Sequence, residues 1–135
     1  MDRKFVKVLL TGATGFIGAA ILRRLSREDL SIRVLVRETS DRAHLRNVDT
    51  EISVGDLGDK TSLRNALRDC DALIHTAADY RPWTTDPSSM IASNITGTAN
   101  VLSAAGEAGV ANIVYTSSVA ALGGATGDEI GRAHV

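Results

Sequence analysis

Apolar runs alternate with amphipathic stretches along this chain, and turn residues separate them. Phe5–Thr11 is an apolar run that reads as a first strand, and Phe16–Ser26 carries apolar positions at helical spacing. Ile32–Arg37 and the brief Glu51–Val54 read as second and third strands, with a short helical piece over Arg42–Arg46 between them. A helix over Lys60–Asp69 starts after Asp59, and Ala72–Thr76 forms a fourth strand. A long helix is predicted over Ser88–Ala108, closed by Gly109, before a fifth strand at Ala111–Thr116. Strands alternating with helices imply right-handed crossovers and parallel pairing, with helices on both sheet faces. Central strands that are apolar throughout agree, because both their faces must be buried. The expected class is α/β, a doubly wound parallel sheet with about five strands. Such a sheet takes its ligand at the carboxyl strand ends, here at the switch between strands one and four.

The chemistry gathers at those ends. Strand one runs into Thr11-Gly-Ala-Thr-Gly-Phe-Ile-Gly18, with glycines at Gly12, Gly15 and Gly18. Strand, glycine turn and helix N-terminus together make an anion site. The first helical N–H groups have no intrahelical partner, and that dipole end is positive. Glycines let the backbone approach a dinucleotide pyrophosphate closely. Spaced glycines alone mark only a turn; the strand before and the helix after point to nucleotide binding. Gly12, Thr14, Gly15, Phe16, Ile17 and Gly18 are the candidate cofactor residues, and the sheet reads as NAD(P)-binding and Rossmann-like.

Arg37 ends strand two, 19 residues after Gly18. An acidic residue there binds the ribose hydroxyls of NAD, whereas Arg accommodates the 2′-phosphate of NADP. NADP is therefore the favoured cofactor, with Thr39, Ser40 and Arg42 as further donors; NAD stays open because Glu38 is adjacent. Asp56 and Leu57 follow strand three, where Asp can accept from the adenine amino group and Leu can pack on the ring. Alone, Asp56 reads as a turn or cap residue. Strand four ends in Ile74-His-Thr-Ala-Ala78, and the small Thr76, Ala77 and Ala78 let a cofactor pass close to the backbone. His75 reads as a satisfied interior histidine. Strand five ends in Tyr115-Thr-Ser-Ser118, with Thr116 facing a cofactor and hydroxyls suited to a carbonyl or alcohol substrate.

Composition narrows the partners. The 135 residues suit one domain with a real core. A net charge of −1 with both signs interspersed, and only 4% aromatics, argue against a nucleic-acid partner. The lone Cys70 allows no internal disulfide and fits a reducing compartment; with no nearby His or basic cluster to lower its pKa it reads as a buried structural thiol. No stretch has the length of a transmembrane segment and the start is not that of a signal peptide, so the cytoplasm is expected. His44, His75 and His134 make no metal-ligand cluster.

TGATGFIG resembles the extended branch of the short-chain dehydrogenase/reductase superfamily. The resemblance assigns Asp56-Leu57 to adenine, and Asn94, Gly97-Thr98 and Asn100 match a helix motif that ties to the strand ends. Tyr115-Thr-Ser-Ser-Val-Ala120 matches a superfamily pattern that implies Ser118 as catalytic, orienting the reacting oxygen beside a tyrosine acid/base. Ala77-Ala-Asp-Tyr-Arg-Pro-Trp83 with Asp86-Pro87 is similar to hopanoid-associated sugar epimerases, near relatives of dihydroflavonol reductases. It implies substrate contacts for Tyr80, Arg81 and Trp83. The resemblance covers Phe5 to Leu122 and implies an NADP-dependent oxidoreductase or epimerase, transferring hydride on a sugar-nucleotide or related carbonyl or alcohol substrate, with a homodimeric parent. The pattern breaks after strand five. The family's Y-x-x-x-K is absent, and Lys60 is the last lysine. Residues 1–128 are therefore expected to be an incomplete cofactor-binding domain, inactive alone, and 129–135 a non-native tail. An NADP-sensing module without catalysis and a non-functional gene fragment are the alternatives.

Overall fold

The computed structural model describes residues 6–81 and 83–122. Phe5, the loose run Gly123–Gly127 and the tail at 129–135 lie outside the described residues. The strands β1 (Val6–Thr11), β2 (Leu30–Val36), β3 (Glu51–Val54), β4 (Ala72–His75) and β5 (Asn112–Tyr115) form one sheet in the order β3-β2-β1-β4-β5. All four pairings are parallel. Helices α1 (Phe16–Leu25), α2 (Lys60–Leu67) and α3 (Ser88–Glu107) make three of the four crossovers, and β2 reaches β3 without an α-helix. The expected doubly wound sheet is the fold, with its switch between β1 and β4.

The apolar runs are explained by burial on both faces. In β1, Leu9 and Leu10 point to opposite sides and both are fully buried. Leu10 joins Leu22 of α1 with Ile32, Val34 and Val36 of β2. Leu9 joins Leu63 and Leu67 of α2 with Leu73 of β4 and Val101 of α3. One core thus lies under α1 and the other under α2 and α3. At the opposite edge from β3, every residue of β5 is exposed, among them Ile113, Val114 and Tyr115.

Most boundary differences have local causes. Strand β2 starts at Leu30, two residues earlier than expected, because Leu30 and Ser31 pair with Val6 and Lys7. Helix α2 begins where expected, since the Asp59 carboxylate accepts from the N–H groups of Thr61 and Ser62. It stops at Leu67 because Arg68 turns extended and Asp69 is left-handed, with φ 61°. Gly109, with φ 72°, closes α3 as predicted. The piece over Arg42–Arg46 is a single 3-10 turn, Ala43–Leu45, which buries Leu45. A second such turn at Val119–Leu122 had no counterpart in the sequence reading.

Arg33 is the unexpected member of the core. It sits in β2 on the α2 side and is only 7% exposed. Its guanidinium donates to the carbonyls of Ala66 and Arg68 at 2.6 and 2.7 Å, capping the end of α2, and pairs with Glu51 at 2.9 Å. It also lies 3.6 Å from the Cys70 sulfur, so a basic group does neighbour the cysteine, contrary to the sequence reading. Burial still outweighs it and pushes the thiol pKa up, which keeps Cys70 a structural thiol.

The hydrogen bond from Arg33 is the main cause that holds the Glu51 carboxyl below the usual glutamate range. A depressed carboxylate pKa adds stability above the unfolded value, and that share is lost as pH falls through the folded value. Replacing Arg33 by Met is expected to cost about 1–3 kcal/mol, since two helix-end carbonyls lose their partner. Urea melts should also show a shallower loss of stability below the ordinary glutamate pKa in Arg33→Met than in the wild type. Parallel acid profiles would remove this account of Glu51.

Candidate dinucleotide site

The carboxyl ends of β1 to β4 and the first half of α3 enclose a cleft of ≈ 430 Å³. The glycine turn forms its floor. Gly12 has φ 78°, a conformation that side chains other than glycine rarely adopt, and a Cβ there would lie 2.4 Å from Thr76 Oγ1 and 2.7 Å from Ala77 N. The Gly15 N–H donates to Gly12 O at 3.0 Å, and the first helical bond is Ala19 N–H to Gly15 O at 2.9 Å. The N–H groups of Phe16, Ile17 and Gly18 therefore precede the α1 ladder. Gly18 packs directly on the turn, where a Cβ would stand 1.9 Å from Gly12 O.

Around this floor the structure gathers Gly12, Thr14, Gly15, Arg37, Asp56, Leu57, Thr76, Ala77 and Ala78 of the sequence-derived candidates. Arg37 stands just beyond β2 with Ser40 beside it on the cleft wall, and the Ser40 N–H donates to Arg37 O. Asp56 is a turn residue as well as a wall residue. Its carboxylate accepts from Gly58 N–H at 2.7 Å, and Ser62 Oγ receives its N–H at 3.1 Å while sharing its own hydrogen between Asp59 O at 2.8 Å and Asp56 O at 3.1 Å. Gly55 makes this possible, because a Cβ there would lie 2.5 Å from Ser62 Oγ.

Other candidates stay outside the cleft lining. The side chains of Phe16 and Ile17 are exposed, so only their backbone belongs to the turn. Thr116 follows β5, with its N–H on His75 O at 3.0 Å, and Ser118 stands at the start of the last 3-10 turn. Tyr80 and Trp83 are almost fully exposed, and Arg81 forms a two-pronged ion pair with Asp79 at 2.8 and 3.1 Å. Pro82 lies outside the described residues.

Helix α3 contributes more than the sequence reading assigned to it. Asn94 clamps Asp79, accepting its N–H and donating to its carbonyl, each at 2.7 Å. Gly97 leaves room for Leu57, whose Cβ would be 3.0 Å from a Cβ at that position. Asn100 donates to Leu57 O at 2.9 Å. These are the ties to strand ends that the helix motif implies. Ser93 and Thr96, missed in the sequence, line the cleft beside Asn94 and Gly97. Their helical spacing, three residues apart, puts them on one face of α3, and the contact of Gly97 with Leu57 turns that face to the cleft.

His75 is fully buried at the end of β4, and burial lowers its pKa. Its Nδ1 lies 2.6 Å from Thr11 Oγ1 and its Nε2 lies 3.4 Å from Thr98 Oγ1. Its ring stacks on Tyr115 with centroids 5.5 Å apart. Among the described residues no cluster of side chains could hold a metal ion, and no helix is long and apolar enough to cross a membrane.

A parallel sheet with a glycine-floored cleft at its switch point defines a nucleotide-binding α/β protein. The chain belongs to the NAD dependent epimerase/dehydratase family, whose pattern matches residues 8–133. It is 38% identical over 122 residues to cinnamoyl-CoA reductase 1 of Petunia hybrida, covering 85% of this chain and 36% of that protein. It is also 38% identical over 116 residues to the N-acetyl-alpha-D-glucosaminyl-diphospho-ditrans,octacis-undecaprenol 4-epimerase of Escherichia coli O157:H7, covering 86% and 33%. The crystal structure of gox2253 superposes with a TM-score of 0.83 at 46% identity, covering 94% of this chain and 38% of that one. A short-chain dehydrogenase/reductase superfamily protein from Agrobacterium tumefaciens with bound NAD gives 0.69 at 30% identity, covering 83% and 32%. The chain thus spans about a third of the length of these relatives, which include both reductases and epimerases.

The two glycine environments generate a matched pair of outcomes. Gly18→Ala should cost about 3 kcal/mol, the upper end of overpacking, because its Cβ meets backbone. Gly106→Ala, where nothing lies within 4 Å, should instead stabilise by up to about 1 kcal/mol through helix propensity. Thermal or urea melts decide it; two effects of the same sign would contradict the packing described.

Proposed function

We propose that the protein binds NADP across the cleft and serves as the cofactor-binding part of an NADP-dependent reductase or epimerase. The carrying observation is the glycine floor: Gly12 and Gly18 leave no room for a Cβ, and the leading N–H groups of α1 follow directly. That cradle suits a pyrophosphate. Arg37 and Ser40 on the wall suit the adenosine 2′-phosphate, whereas Glu38 is not part of the lining. Asp56 and Leu57 serve the adenine, and the backbone of Thr76, Ala77 and Ala78 borders the nicotinamide half. When bound, the nicotinamide supplies hydride transfer at carbon.

The substrate is a small molecule carrying a carbonyl or alcohol, of sugar-nucleotide or related type. Ser118 orients its reacting oxygen, and Tyr80, Arg81 and Trp83 contact its body. Ser118→Ala in the active protein should lower kcat strongly and leave NADPH affinity nearly unchanged, while Ser117→Ala should be milder. Steady-state kinetics with separate cofactor titrations check this, and a more damaging Ser117 variant would refute the assignment.

Arg37→Asp tests the cofactor. A charge-assisted contact to phosphate is worth about 1.5–3 kcal/mol, so NADPH affinity should drop at least tenfold while NADH affinity changes little. Fluorescence titration with both cofactors reads this directly. Equal affinities in the wild type, unaltered by the substitution, would sink the NADP reading.

A further inference from the structure

We propose that His75 is a positioning residue for the nucleotide cradle: as the neutral Nε2–H tautomer it accepts the Thr11 hydroxyl hydrogen and thereby fixes the backbone of Thr76 and Ala77. Donor and acceptor inventory leads to this assignment. Thr11 Oγ1 lies 3.2 Å from the backbone nitrogens of both Thr76 and Ala77, and those N–H groups only donate. A hydroxyl has two lone pairs and one hydrogen. The Thr76 N–H is shared with Thr11 O at 3.4 Å, but with both amides on Oγ1 its lone pairs are engaged, and the hydrogen is left for the remaining neighbour, His75 Nδ1 at 2.6 Å. Nδ1 must then be unprotonated. The ring hydrogen sits on Nε2, where it faces Thr98 Oγ1 at 3.4 Å.

The result is a relay across three elements. Thr98 of α3 fixes the ring edge, the ring fixes the Thr11 hydroxyl of β1, and that hydroxyl holds two successive amides after β4. Thr76 Oγ1 returns a bond to Thr11 O at 2.7 Å. Tyr115 stacks on the ring and limits its rotation. Thr11 and His75 are both fully buried, so no water replaces a lost partner. Gly12 packs with no room for a Cβ against one of these amides, that of Ala77, and Thr76 and Ala77 line the cleft. A ring bearing hydrogen on Nδ1 would turn the hydroxyl around and cost one amide its Oγ1 acceptor.

The role of these amides in ligand binding rests on the nucleotide reading; the tautomer does not. Ring-nitrogen NMR of uniformly 15N-labelled protein reports the tautomer without ligand: Nδ1 should resonate as an unprotonated nitrogen and Nε2 as a protonated one. A hydrogen on Nδ1 overturns the proposal. Two variants separate the ring edges. In His75→Asn the amide oxygen stands near Nδ1 and still accepts the hydroxyl, whereas in His75→Gln the amide reaches toward Thr98 and leaves the hydroxyl without an acceptor. Hydrogen exchange at the Thr76 and Ala77 amides should accelerate in His75→Gln and stay near wild type in His75→Asn. NADPH affinity should follow, about tenfold weaker for Gln and within about threefold for Asn. Thr11→Val and Thr11→Ser give a second pair, the first behaving as Gln and the second as Asn, should a His75 variant fail to fold. Asn and Gln variants that behave alike in exchange overturn the proposal. A wild type with the expected tautomer and exchange pattern that binds no NADPH would refute the nucleotide reading while upholding the positioning role.

Discussion

Everything at the functional end of this molecule depends on how closely the backbone of the glycine turn can be approached. Helix α1 rests on the Gly12 carbonyl through Gly18, with no space for a methyl group between them. On the other side the same turn meets Thr76 and Ala77 at the end of β4. A side chain at either glycine would push α1 away from β1 or β1 away from β4. The cleft exists because two crossovers diverge from a point where three pieces of backbone touch. An α/β sheet opens at its switch point for topological reasons. The glycines decide how deep and how positive that opening is.

Polar side chains then convert an opening into a defined shape. Asn94 and Asn100 of α3 bind backbone, not other side chains, and each reaches a loop leaving a different strand. Ser62 does the same for Asp56 from α2. The helices thus serve as rulers that set the positions of loops over the sheet. Each of these amide and hydroxyl groups is satisfied in the fold, and among the described residues no buried side-chain nitrogen or oxygen lacks a partner. Arg33 plays the corresponding part at the far end of the sheet, where it holds the terminus of α2 against β2 and β3.

Family membership and geometry constrain function to different depths. The fold, the nucleotide cleft and the epimerase/dehydratase family follow from the topology and the matched pattern. The relatives include a cinnamoyl-CoA reductase and a 4-epimerase, and the chain matches about a third of each. Beyond the cleft this chain presents exposed Tyr80 and Trp83, the Asp79–Arg81 pair and the exposed strand β5.

The sequence by itself determined the class of fold, because a parallel strand buried on both faces can only be written as an apolar run, and glycine spacing marks where backbone meets backbone. It also located most of the cleft floor and walls, since Gly12, Arg37, Asp56 and Thr76 each fall just after a strand. Helix ends were legible where a local signal exists, as with Asp59 and Gly109. Tertiary structure alone decided the rest. A buried Arg33 runs against local preference and is explained by helix-end carbonyls that lie more than 30 residues away in sequence and by Glu51 on the neighbouring strand. The cleft faces of Ser93 and Thr96 depend on how α3 is rotated over the sheet, which Gly97 and Leu57 settle by contact. The state of His75 could not be read from its neighbours in the chain. It follows from a threonine 64 residues earlier and two amides beyond the strand end, brought within hydrogen-bonding distance only when β1 and β4 pair.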